Sequence, residues 1–108
     1  MTFETFEKIK AYVHENIEER ILIKDIEKNF SYEDQAIRDA FIKYEGLTAK
    51  QYITKAKIYK ARELLEEGYL ACEVPYMLGY DSVITFRDNY KKEFGETLFQ
   101  TELRLRDI

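Results

Sequence analysis

Apolar residues recur three or four positions apart along most of the chain, the spacing of one buried face of an α-helix. Over about 3–18 the stripe is Phe6, Ile9, Val13 and Ile17, and over about 23–29 Ile23 and Ile26 turn inward. Over about 31–44 it is Ile37, Ala40, Phe41 and Tyr44. The longest run, about 48–67, carries Tyr52, Ile53, Ala56, Ile58 or Tyr59, Ala61, Leu64 and Leu65. Shorter helices are predicted over about 73–78, 82–94 and 97–105, with Gly46, Gly68, Gly79, Gly95 and Pro75 as the punctuation between segments. Ser31, with Asp34 three residues on, reads as an N-cap for the third helix. Thr48 with Gln51 and Thr97 with Gln100 have the spacing of capping boxes that open the fourth and seventh. Pro75 is tolerable only in a first turn, so the fifth helix is expected to start late or be distorted. The pattern predicts an all-α chain of seven helices.

Two stretches match at a spacing of 49 residues: Arg38, Asp39, Lys43, Gly46, Thr48 and Gln51 recur as Arg87, Asp88, Lys92, Gly95, Thr97 and Gln100, and Phe41 answers Tyr90. Each match falls late in a helix, at its glycine stop, or at the next cap. A short helix, a tight turn and a longer helix precede both copies, so the chain reads as a duplicated helix-turn-helix unit. The first spans about 5–46, the linker helix about 48–67, and the second about 70–105. At about 1.5 Å per residue the linker helix would be a rod of about 30 Å, close to the roughly 34 Å between successive major grooves of B-DNA. Such a rod would set the second helix of each unit in adjacent grooves facing the same way, and one monomer would read an asymmetric site.

Composition narrows this picture. The 108 residues include one cysteine, one histidine, nine tyrosines, seven phenylalanines and no tryptophan, with 45% apolar and 35% charged residues. This is a globular mixture rich in rings to bury. Cys72 alone excludes an intramolecular disulfide, and with only His14 beside it no structural zinc site is expected. The lone cysteine suits a reducing, cytoplasmic setting, and the pattern contains neither a membrane span nor a signal peptide. His14 and Cys72 are expected to pack ordinarily, and Tyr12, Tyr32, Tyr44, Tyr52 and Tyr59 to be core or groove-edge rings. No glycine-rich phosphate loop, nucleophile elbow or pair of carboxylates spaced for acid–base work is present, so neither catalysis nor a cofactor is expected. The net charge of −4 opposes any partner recognised by bulk positive charge. Locally, 33–44 holds three acids and two bases, and 82–93 three bases and two acids. The linker helix and the second unit are therefore the better electrostatic footprint.

The ordered set Phe41, Gly46, Tyr52-Ile53, Lys57-Ile58, Ala61 and Leu64-Leu65, followed by Gly79-Tyr80, Phe86 and Tyr90-Lys91-Lys92-Glu93-Phe94-Gly95, resembles the two-motif DNA-binding domain of the AraC/XylS family of bacterial transcription regulators. The resemblance covers about 6–100 and implies two homeodomain-like helix-turn-helix halves, with recognition helices over about 33–44 and 82–93. The departures are Glu27 where a small residue is usual, Pro75 at the equivalent place in helix five, Leu98 for a proline, and Thr101-Glu102 for Tyr-Arg. Asp39 and Asp88 sit where relatives carry a base. A carboxylate there repels phosphate and accepts only from cytosine or adenine amino groups, so the site read is unusual or the affinity weak.

On this reading the base-edge candidates are Gln35, Arg38, Asp39, Val83, Thr85, Arg87 and Asp88. Gln35 suits adenine, Arg38 guanine, Val83 and Thr85 the thymine methyl, and Arg87 a base or phosphate. Equally, Arg38 is spaced to pair with Asp34, and Arg87 with a neighbouring carboxylate, on solvated faces. Lys43, Lys57, Lys60, Lys91 and Lys92 are phosphate candidates, or else solubilising lysines. The resemblance implies double-stranded DNA and RNA polymerase as partners, and a sensor or receiver domain that is absent or lies N-terminal to this chain. The competing reading is a degenerate helix-turn-helix fold acting as a protein-interaction module, with Glu27, Asp39, Asp88 and the net charge ending DNA binding.

Overall fold

The computed structural model describes residues 1–107. Seven α-helices are present among them: α1 (Phe3–Glu15), α2 (Ile23–Phe30), α3 (Asp34–Glu45), α4 (Ala49–Glu66), α5 (Val74–Met77), α6 (Ile84–Phe94) and α7 (Leu98–Arg106). They fall into two compact units, one of Met1–Ile17 and Ile21–Ala56, the other of Glu18–Arg20 and Lys57–Ile108. Helix α4 belongs to both and runs unbroken from Ala49 to Glu66.

In the first unit Thr2 caps α1 and accepts from the Thr5 amide. The α1 stripe Phe6, Ile9 and Val13 is buried with Ile26 of α2, Ile37, Ala40 and Phe41 of α3, and Ala49 and Ile53 of α4. Phe6 meets Phe41 edge-on at 5.0 Å and stacks on Tyr44 at 5.1 Å, so large rings fill a small core. Tyr12, Tyr32, Tyr44 and Tyr52 pack half-buried around it, as expected of them. His14 is exposed at the margin and shares a 2.8 Å hydrogen bond with the Tyr52 hydroxyl, whose pKa burial raises.

The α2–α3 connection departs from the expected cap. Ser31 ends α2 instead of opening α3: its φ is +56° and its N–H bonds the Glu27 carbonyl. Glu33 is the N-cap of α3, without a side-chain bond. Only residues 31–33 connect the two helices, and the left-handed conformation of the first of them ends α2 at once. Helix α1 likewise stops at Glu15 rather than near residue 18, where residues 18–20 leave the first unit's packing.

In the second unit Ile58, Ala61, Leu64 and Leu65 of α4 pack with Ala71, Val74, Leu78, Phe86, Tyr90 and Leu98. Helix α5 is a single turn with Pro75 near its start, the late, short helix that proline dictates. The expected capping boxes form in both places: Thr48 accepts from the Gln51 amide while Gln51 accepts from Thr48 N–H, and Thr97 and Gln100 do the same. Gly46 and Gly95 end α3 and α6 with φ of +70° and +73°, so the repeated residues occupy repeated conformations.

Phe41 and its repeat partner Tyr90 are both fully buried, but the tyrosine brings a hydroxyl that needs a partner. Thr101 Oγ1 lies 2.8 Å from it and donates to Glu96 at 2.7 Å, so the Tyr90 hydroxyl is the donor to Thr101. Arg104 closes the chain on Glu96 at 2.7 Å and, with Thr101, holds that carboxyl below the usual range.

Candidate nucleic-acid interface

Each unit offers one helix whose two faces differ sharply. In α3, Ile37, Ala40 and Phe41 are buried while Gln35, Arg38, Asp39, Ile42 and Lys43 are exposed. In α6, Phe86 and Tyr90 are buried while Ile84, Thr85, Arg87, Asp88, Lys91 and Lys92 are exposed. The helical period alone produces this, because the residues committed to the core leave their neighbours outside.

The exposed face of α3 is largely engaged with itself. Arg38 pairs with Asp34 one turn earlier, which raises its pKa, and the Gln35 amide donates to Asp39 at 2.8 Å. Lys43 lies over the Tyr44 ring at 5.2 Å and remains exposed. Ile42 is 54% exposed, which leaves an apolar group among these polar ones.

The α6 face is built from the same alphabet without those pairs. Helix α6 starts at Ile84, later than the expected residue 82, and this shifts which residue leads it. Val83, an expected base contact, is half-buried as the N-cap residue, and Ile84 stands 70% exposed beside Thr85. No periodicity ranks Ile84 above Val83 until the helix start is known. Among the described residues the side chains of Arg87 and Asp88 enter no hydrogen bond or ion pair. Phe94 is clasped edge-on by Tyr59 at 5.1 Å, and Arg62 lies over it at 4.8 Å. Tyr59 is thus an exposed ring that bonds Glu93 at 2.7 Å and is no part of the α4 stripe.

Lys57 corrects an expectation. The sequence places it among exposed phosphate contacts, but it is 4% exposed. Its Nζ donates to the carbonyls of Glu19 and Leu78 at 2.5 and 2.6 Å and lies over the Tyr80 ring at 5.6 Å. Burial lowers its pKa. The aliphatic stem of a lysine can lie in a core when its head finds acceptors, and the pattern of α4 cannot reveal acceptors supplied by distant loops. Lys60 is half-buried with its Nζ 3.5 Å from Glu63, so four of the five lysines expected at phosphates keep an accessible charge.

Among the described residues no cluster of three or more His, Cys, Asp or Glu is placed to hold a metal, and no helix is long and apolar enough to cross a membrane. Cys72 is an exposed free thiol.

Comparison with known proteins agrees with the helical fold. Residues 27–104 match a family described as a helix-turn-helix domain. The chain is 25% identical over 84 residues to the lactose operon transcription activator of Staphylococcus xylosus, covering 77% of this chain and 30% of that protein. It thus spans about a third of the curated relatives it matches. Among solved structures, an AraC-type transcriptional regulator from Chromobacterium violaceum superposes with a TM-score of 0.86 at 19% identity, covering 94% of this chain and 92% of that one. The C-terminal domain of AraT, a response regulator from Geobacillus stearothermophilus, superposes with a TM-score of 0.82 at 18% identity, covering 93% and 84%.

Proposed function

Because the chain belongs to the helix-turn-helix domain family, in its AraC/XylS group, we propose that it is the DNA-reading part of a bacterial transcription regulator. The observation that carries this is the second helix of each motif, which buries one face in its own unit and leaves a row of base-competent side chains outside. Motifs over about 5–46 and 70–105, joined by α4, each insert that helix into a major groove of double-stranded DNA, and the two grooves are successive ones.

The chemistry assigned to each residue follows from groove donors and acceptors. Arg87 and Arg38 suit guanine O6 and N7, Gln35 suits adenine, and Thr85 and the exposed Ile84 the thymine methyl. Asp39 and Asp88 accept from cytosine or adenine amino groups. Lys43, Lys60, Lys91 and Lys92 hold phosphates and set register without reading sequence. Acidic neighbours make the affinity modest.

The fraction of its relatives that the chain spans, and the likeness to a response regulator's C-terminal domain, support a sensor or receiver domain as partner. RNA polymerase is the proposed target at the promoter and the cytoplasm the proposed location. The domain acts by binding, with no reaction of its own.

Selection from a pool of random duplexes at low salt, followed by fluorescence anisotropy, tests the assignment. An enriched sequence that binds more tightly than a scrambled duplex is expected. Arg87→Ala should weaken that binding by about 1–3 kcal/mol. Failure to enrich any duplex, together with capture of a protein partner on the α3 or α6 face, would instead establish an interaction module.

A further inference from the structure

The two motifs carry the same arginine in unequal surroundings. At the 49-residue spacing Arg38 corresponds to Arg87, Asp39 to Asp88, Gln35 to Ile84 and Asp34 to Val83. In the first motif the residue one turn before the arginine is a carboxylate, and Arg38 donates to it. In the second that residue is the half-buried Val83, and Arg87 has no partner among the described residues. The next pair differs in the same sense: Gln35 occupies Asp39 at 2.8 Å, whereas Ile84 offers Asp88 no hydrogen bond.

We infer that Asp34 is a specificity-setting residue that holds Arg38 away from DNA, so that the second motif does most of the reading and the first is self-neutralised. This rests on the DNA-binding reading above. Two physical terms act together. Arg38 must break its carboxylate pair before it can reach guanine, and Asp34, at the first turn of α3, remains as an anion facing the phosphates of the groove. Val83 imposes neither term on Arg87. The pair is half-exposed, so its intrinsic strength is small. The second term therefore dominates, and replacement of Asp34 should add to affinity instead of subtracting from it.

Anisotropy titrations on the enriched duplex test this with Asp34→Ala and the isosteric Asp34→Asn, each checked for an unchanged circular dichroism melt. Both should bind roughly threefold or more tightly than the wild type, with a salt slope steeper by about one released counterion. Arg38→Ala alone should cost less than about threefold while Arg87→Ala costs about tenfold or more. Adding Arg38→Ala to Asp34→Ala should remove only the smaller part of the gain that the freed arginine supplies and leave the part that comes from the lost anion. Equal losses from Arg38→Ala and Arg87→Ala, or no gain in either Asp34 variant, overturn the inference while leaving DNA binding intact.

A readout in the free protein separates it from that reading. The Arg38 Nε–H resonance should shift between the wild type and Asp34→Asn, because its carboxylate partner is lost, while the Arg87 resonance stays still. The absence of that contrast overturns the inference whatever the protein does with DNA.

Discussion

Single residues decide more here than their chemistry alone suggests. Lys57 is a cation by sequence and a structural clamp in the fold, because two main-chain carbonyls close on its ammonium. Lys57→Met keeps the apolar stem and removes the donor, leaving the carbonyls of Glu19 and Leu78 without it. Urea denaturation should show a loss of about 1–3 kcal/mol. The pH dependence has a definite sign. Burial depresses the lysine's folded pKa below 10.5, so the unfolded chain binds the proton more readily in the window between the two values. Wild-type stability relative to Lys57→Met should therefore rise as pH climbs through the folded pKa towards 10.5. The Arg38–Asp34 pair, in contrast, is legible as a spacing of four, although the sequence leaves it level with a base contact.

At the level of elements, helix ends obey local chemistry where local chemistry is enough. Thr48, Thr97, Gly46 and Gly95 cap and stop helices where their types require. Ser31 shows the limit: a serine can open a helix or close one, and the length of the turn decides. Gly79 differs from the other stops. Its φ is +84°, and a Cβ there would lie 3.3 Å from Arg20 N and Glu19 C, both main-chain atoms that cannot swing aside. At Gly46 a Cβ would meet nothing within 4 Å. Gly46→Ala should cost only the left-handed penalty of about 1–2 kcal/mol. Gly79→Ala should cost measurably more in the same denaturation experiment, because residues 18–20 must also move. Equal losses would show that the close approach is relieved without effort.

For the whole molecule, each unit holds its own cluster of buried side chains, and α4 is an element of both. Its 18 residues correspond to about 27 Å of helix. If the proposed two-groove reading holds, hydroxyl-radical footprinting of the selected duplex should show two protected stretches about 10–10.5 base pairs apart. Protection by Arg87→Ala should fade in one stretch before the other. A single protected stretch would confine recognition to one motif. The net charge of −4 bears on this scale too, since 21 acids outnumber 17 bases, oppose the phosphates and predict a modest affinity with a shallow dependence on salt.

The helix count, the Thr48 and Thr97 caps, the repeat and the two core faces followed from the order of residue types, because helical period and capping act over a few neighbours in the chain. The burial of Lys57, the lead of Ile84 over Val83 and the reversal at Ser31 did not. Each depends on groups or turns that only folding brings together: carbonyls 38 and 21 residues away, the start of α6, and a three-residue connection between helices. Where a side chain's neighbours are distant in sequence, its role is set by packing, and a linear pattern carries no record of it.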